Sequence, residues 1–539
     1  MEAITSPVPP SAVSRPYARA VVAIALVFIM LLSGLSVGFV LGSGARNAAN
    51  PTGVAPMKAT SAIQSGPQLQ NDSFLQNPGT PLTSLQNASV QGPLPANQQV
   101  SFTVGFQMRN TQQLANIIAE QQVQGSPQYH QWLTNAQEAQ MFGPDPTTVQ
   151  NTINYFTSLG LTVGTQGTLS VSFIGTSAQI DKAFKTSLVS IQYGQGSRGF
   201  VNGLPLALPS PIATGVSTIN GLDSATVAHV TSSVAPASLA DFGANIPADD
   251  QASFTTAFVH ALYNTTANES SAYNYTNHAF MWFRYYSHHF AQWRTYQTIT
   301  PASLNFMYQA QPLINLGVNG NSSGSPITIG IIMAGGINPG DITGFSKLVW
   351  NNPNQIMKRL VAVPVDRQFG LNGTLTYSDG DSGEMALDIE FSSTMAPGAR
   401  IMPIYGPFLS DNVLDDEYAT ADRMTVAPNI LSNSWGGDEV SWPNLYGPNW
   451  ANALTMHSYI MLLSAKGTTV MASSADGGGF DKANGIMSGS FPATDPYVFS
   501  VDGVRTSAAG VNGSVFPAVD TIGNYQQSIY NIPNATVHV

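Results

Sequence analysis

The stretch GEMALDIEFSSTMAPGARIMPIY, Gly383 to Tyr405, decides the fold. Its first half consists of good helix formers following a glycine turn, and its end is the short apolar run Ile401–Tyr405. Other short apolar runs, Ile327–Ala334 (ITIGIIMA), Ile430–Ser434 and Thr468–Ala472, punctuate the chain after Pro301 with room for helices between them. Runs of this length predict strands buried on both faces, and strands separated by helices predict a mostly parallel sheet. Active sites in such sheets gather in the loops at the carboxyl ends of strands. The two polar oddities of this half, LSNSWGG and SSADGGG, fall at such ends.

The same stretch carries a dense set of acids in a chain of which only 9% is charged. Glu384 and Asp388 stand four apart, so a helix places both carboxylates on one face, whereas Glu390 points largely away. Held close in partial burial, two carboxyls cannot both ionise easily, so one pKa rises and a proton is shared. On spacing alone, a solvated acidic helix face is the other reading. Asp379 and Asp381, around Gly380, read as turn residues leading into the helix. Asp476, followed by three glycines, is either a turn-capping residue or a neutral acid that donates to a developing oxyanion. The backbone around Ser434, Trp435 and Gly436 could pair with an extended peptide as an added strand, or be a plain core strand with a glycine turn.

At 539 residues with 43% hydrophobic, the chain has material for two or three domains with real cores. A net charge of -11 and no Lys/Arg cluster leave no field to hold nucleic acid. The absence of cysteine excludes disulfides, thiolate metal sites and a cysteine nucleophile. Few Lys and Arg limit self-repulsion once carboxylates are protonated, which suits an acid-exposed surface.

Residues 1–19 read as a cytoplasmic terminus. Residues 20–42 form an uncharged apolar run long enough to span a bilayer, with Arg15 and Arg19 on its cytoplasmic side. They predict a transmembrane anchor with the rest of the chain at the cell surface, or else a cleaved signal and a secreted protein. Residues 43–98, rich in Pro, Gly, Asn, Gln and Ser, read as a flexible linker. Across 99–225, strand patterns (Val100–Met108, Thr168–Ile174) alternate with helix patterns (Gln112–Gln124, Asp145–Leu159, Ser177–Phe184), predicting a small open α/β sandwich. Residues 226–297 form an aromatic-rich insertion studded with Asn-x-Ser/Thr sequons, in which His288 and His289 lack a third metal ligand and read as ordinary surface or partly buried histidines. Residues 298–539 make up the α/β domain.

Three ordered motifs, GEMALDIEFSSTMAPGARI, ILSNSWGG and VMASSADGGG followed by FPATDPYVFSVDGV, resemble the sedolisin family of serine-carboxyl peptidases, kumamolisin-like relatives of subtilisin. SPQYHQWLT at 126–134 and VSFIGTSAQIDKAF at 171–184 resemble the family's activation prodomain. The resemblance implies an incomplete subtilisin-like sheet with flanking helices, preceded by a prodomain that acts as intramolecular inhibitor and is removed in acid within 226–297. It further implies protein or peptide substrates, Glu384 as general base to a serine nucleophile, Asp388 orienting it, Asp476 in the oxyanion hole, and Ser434, Trp435 and Gly436 along the substrate. No metal or cofactor is expected within this chain, calcium belonging to the family's terminal loop.

The family's nucleophile lies in a Gly-Thr-Ser-Ala motif downstream of the oxyanion acid, and none follows Asp476. The one such motif, Gly175–Ala178, sits in the prodomain, where a turn and helix cap explain it. The altered turn VDGV at 501–504 departs from the family as well. The chain by itself is therefore expected to hydrolyse nothing, either as part of a longer acid-acting endopeptidase or as a non-catalytic surface protein that keeps the scaffold to bind peptides.

Overall fold

A computed structural model describes residues 88–193, 197–204, 206–222, 281–298, 310–321, 324–350, 352–365, 382–438, 451–474 and 489–501, with the short pieces 224, 229–230, 248–250, 252–253, 256, 308, 510–511 and 514–515. Among the described residues no helix is long and apolar enough to cross a membrane. The apolar run 20–42, and with it the anchor expected there, lies outside the described residues.

The amino-terminal unit consists of β1 (Gln99–Phe106), α1 (Thr111–Gln121), α2 (Asn135–Met141), α3 (Pro146–Ser158), β2 (Thr162–Gln166), β3 (Ser170–Thr176), α4 (Ser177–Phe184) and β4 (Val216–Asn220). The four strands make one antiparallel sheet in the order β2-β3-β1-β4. A second antiparallel sheet, Ser89–Pro93 with Leu188–Tyr193 and Ser197–Asn202, lies beside it. Local chemistry sets the helix starts. Asp145 caps α3 by accepting from the Thr147 amide, with Pro146 in the first helical position. Thr176 and Gln179 form a reciprocal capping box on α4, so Thr176 supplies the cap, and the neighbouring Ser177 hydroxyl donates to the Pro95 carbonyl at 2.8 Å. Ser177 of the Gly-Thr-Ser-Ala sequence is thus fully buried in a structural role.

Alternation along β1 sends Val100, Phe102, Val104 and Phe106 to one face, where α3 and α4 cover them. Phe102 packs against Phe156, Phe173 and Phe184 with ring centroids 5.3, 5.7 and 5.1 Å away. The opposite, polar face, with Ser101, Thr103, Ser170, Ser172, Thr218 and Asn220, is buried too. A second domain covers it.

That domain is a six-stranded, wholly parallel sheet. In chain order it runs β5 (Thr328–Ala334), α5 (Pro339–Trp350), β6 (Val363–Pro364), α6 (Ser382–Met395), β7 (Arg400–Gly406), α7 (Asp411–Arg423), β8 (Ile430–Asn433), α8 (Ala451–Ala465), β9 (Thr469–Ser473) and β10 (Phe499–Val501). The sheet order is β6-β7-β5-β8-β9-β10. Residues such as Ile331, Ile332, Ile404, Tyr405 and Leu431 are out of solvent contact on both faces, the reason these segments read as continuous apolar runs.

Helices α7 and α8 lie across the polar face of the amino-terminal sheet. Thr103 Oγ1 donates to the Asn412 carbonyl (3.1 Å) and to Asp416 (3.2 Å), Asn220 Nδ2 to Asp415 (2.7 Å), and Thr168 to Asp422 (2.9 Å). From α8, Thr455 meets Thr218 at 2.6 Å, and the Tyr459 hydroxyl takes the Leu169 amide at 3.0 Å. A Cβ on Gly167 would stand 2.1 Å from the Tyr459 hydroxyl and 2.6 Å from the Ala419 Cβ. Only glycine lets the turn between β2 and β3 approach this closely.

Within the region read from sequence as an insertion, Met281–Ser287 and Gln292–Thr298 pair as an antiparallel hairpin in continuous register. Aromatic and Thr residues favour that extended pairing. Asp250 accepts from the His288 and His289 amides at its tip, and both histidines are exposed.

Candidate active site

Strand β8 delivers the site. It ends at Asn433, whose side chain is locked by the Tyr418 hydroxyl (2.9 Å) and the Met471 carbonyl (2.8 Å), and Ser434 follows at once. The Ser434 hydroxyl donates to Asp388 Oδ1 at 2.9 Å, joining the strand end to α6. Glu384 is buried one turn earlier on the same helix, so the sequence-predicted acid pair does share a face.

Burial, and then the neighbouring Glu384 carboxylate, push the Asp388 carboxyl up to about 8, while the Ser434 hydrogen bond pulls it back. Its Oδ2 is shielded from solvent without a hydrogen-bond partner. Asp388 is therefore neutral through the acid range. Ser434→Ala should move the Asp388 titration further upward and cost about 1 kcal/mol in stability, the usual net worth of one hydrogen bond. Carboxyl-carbon NMR across a pH series checks the first expectation and urea unfolding the second.

Glu390 is half-buried. It faces away from the pair and is likewise raised to about 8, by burial first and then by Asp341 on α5. Nothing in the sequence pattern associates Asp341 with Glu390, since the two are brought together by the packing of α5 on α6. Asp476, with Asp379 and Asp381, lies outside the described residues. Among the described residues no group of three or more His, Cys, Asp or Glu side chains is placed to hold a metal ion.

Beyond Ser434 the chain continues as the strand Trp435–Asp438. Trp435 is fully buried, with Tyr418 and Phe491 against its ring, which fixes the strand's position. One edge of this strand pairs antiparallel with Ser490–Phe491. The other pairs antiparallel with His229–Val230, Val230 opposite Trp435 and His229 opposite Gly436. The chain thus lays its own backbone along the segment read from sequence as able to accept an extended peptide, a few residues after the amino-terminal unit. Backbone pairing of this kind takes any sequence, and specificity is left to side-chain pockets. Sequence reading did not anticipate a strand at His229–Val230, for AHVTSS carries no strand pattern of its own.

Residues 86–225 match the family model described as Pro-kumamolisin, activation domain. Kumamolisin of Bacillus sp. (strain MN-32) is 33% identical over 152 residues, 28% of this chain and 26% of that protein. Xanthomonalisin of Xanthomonas sp. (strain T-22) is 26% identical over 180 residues, 33% of this chain and 21% of that protein. The matched region thus spans about a quarter of the length of these curated relatives. A solved Pseudomonas sedolisin, a serine-carboxyl proteinase complexed with two molecules of pseudo-iodotyrostatin, is 21% identical over 35% of this chain and 52% of that one. Its TM-score is 0.28.

Proposed function

The chain is a sedolisin-family protein that carries the activation prodomain, and from that premise we propose that it belongs to an exported, acid-acting serine-carboxyl endopeptidase made as a zymogen. One observation carries the reading: His229–Val230 occupies the Trp435–Gly436 edge in the antiparallel sense of a bound peptide, beside Ser434 and the acid pair. In this proposal Glu384 takes the proton of a serine hydroxyl as that oxygen attacks the peptide carbonyl, and Asp388 orients Glu384. Asp476 donates a hydrogen bond to the oxyanion. Glu384 then returns the proton to the leaving amine, and water releases the acyl group by the reverse path. A glutamate suits acid because it still accepts protons at a pH where a histidine, with its pKa of about 6.5, is already charged. No Gly-Thr-Ser sequence follows Asp476 within residues 1–539, and in this proposal the nucleophilic serine is not among them. The apolar run 20–42 anchors the protein at the cell surface or is cleaved on secretion.

The test is to produce the polypeptide encoded by the whole reading frame, bring it to about pH 4, where a general-base glutamate is half ionised, and sequence the new amino terminus. The first cut should fall shortly after Val230, and Glu384→Gln should slow it by at least ~100-fold, the usual worth of a general base. A chain that stays intact, or that is cut equally fast in the variant, would sink the proposal. Peptide binding without cleavage would favour a non-catalytic peptide-binding module.

A further inference from the structure

Helix α7, DNVLDDEYATADR, is polar by sequence yet almost entirely out of solvent. Asp415, Asp416, Glu417 and Asp422 have no exposed surface, and Asp411 is 3% exposed. The amino-terminal unit adds the fully buried Glu138 from α2 to the same interface. Lys466, at the end of α8, is paired with two of these acids, Asp422 and Glu138. Its Nζ is 2.6 Å from Asp422 and touches Glu138. Other charges near the interface are engaged differently. Arg109 donates to the carbonyls of Ala139, Gln140 and Gly143, Arg423 is exposed, and His457 pairs with Asp495 at 2.6 Å on the far side of α8. Neutral donors also reach the cluster: Thr103 to Asp416, Thr168 to Asp422 and Asn220 to Asp415.

A carboxylate sealed from water beside another carboxylate favours its protonated form. Undocked, Glu138 and Asp415 would both face water. We propose that the amino-terminal sheet docks on α7 and α8 with uptake of protons, so that acid tightens this contact and rising pH loosens it.

The sign follows from the groups themselves. An exposed glutamate titrates near about 4.3, whereas burial and then Asp422 raise docked Glu138 to about 8, against the pull of Lys466. Burial also raises Asp415 well above the carboxylate range, with the Asn220 amide opposing and Asp411 adding to the rise. Between the free and the docked value, the docked state holds the extra proton. Each such proton changes the docking constant about tenfold per pH unit, docking being strongest at the acid end and weakening as pH rises toward about 8. Acid therefore does not lift the sheet off its partner helices. The inference holds whether or not the second domain is catalytic.

To test it, one specific protease site is inserted between Val230 and Met281 of the full chain and cut, and the dissociation constant of the nicked pieces is measured from pH 5 to 8. Dissociation should rise about tenfold or more per pH unit over the upper part of that range. Glu138→Gln and Asp415→Asn, fixed mimics of the neutral acids, should each flatten the slope by up to one proton. Thr455→Val, which removes the contact between the two neutral hydroxyls of Thr455 and Thr218, should weaken docking equally at all pH and leave the slope alone. Should a variant fail to fold, hydrogen exchange at the Leu133 and Leu169 amides of the uncut wild-type chain, corrected for intrinsic rates, should show greater protection at pH 5 than at pH 8. A dissociation constant that falls as pH rises, a slope untouched by both acid substitutions, or protection that increases with pH would overturn the proposal.

Discussion

Replacing Lys466 by methionine is expected to destabilise the docked chain by about 3–5 kcal/mol at neutral pH, the usual cost of removing one member of a buried ion pair. Lys466 is 4% exposed at its side chain, and its Nζ serves the Asp422 carboxylate, the Asp422 carbonyl and Glu138 together. Methionine roughly matches its volume, so the loss comes from charge and not from a cavity. Asp422 would keep the Thr168 hydroxyl, one neutral donor in place of a cation. Because a protonated carboxyl has no charge to bury, part of the loss should return as the pH is lowered toward the ordinary carboxylate range of about 4. Urea unfolding at two pH values measures both effects. A variant as stable as wild type at pH 7, or one whose deficit grows in acid, would show that the cation is not what holds this cluster.

Phe102→Ala should cost a similar amount, about 3–5 kcal/mol, through an entirely different term. Phe102 has no exposed surface and sits at the centre of a four-ring group drawn from β1, α3, β3 and α4. Truncation removes the contacts of one ring and leaves three phenylalanines around a void that rigid strands cannot close. This loss should be independent of pH, which separates it from the Lys466 effect. A deficit under about 1 kcal/mol, the range of a tolerated hydrophobic swap, would mean that the helices collapse into the space.

How far the sequence reveals this molecule depends on which forces leave a pattern in it. The parallel sheet was legible because burial on both faces imposes unbroken apolar runs, and ITIGIIMA could be little else. Spacing alone placed Glu384 and Asp388 together. It was silent on Ser434 meeting Asp388, a contact between residues 46 apart that exists only because β8 ends over α6. Helix α7 misleads in the other direction. Read alone, DDEYATADR is a solvated surface, and the polar members of VSFTVGF, Ser101 and Thr103, are the wet side of a half-buried sheet. Each is buried because the other covers it, and complementarity between two polar faces has no signature in either sequence. The strand at His229–Val230 was invisible for a related reason, since its order comes from the backbone of its acceptor.

The pairing of His229–Val230 with Trp435–Gly436 also fixes who competes with whom. The occupying strand is tethered a few residues from a domain already docked on the same body, so it is present at its acceptor at an effective concentration in the ~mM range. A peptide arriving from solution at micromolar levels is outnumbered about a thousandfold at that edge. Abundance of a competing peptide therefore does not free that edge. Separating the strand from the docked domain does, because that turns a local concentration into a dilute one.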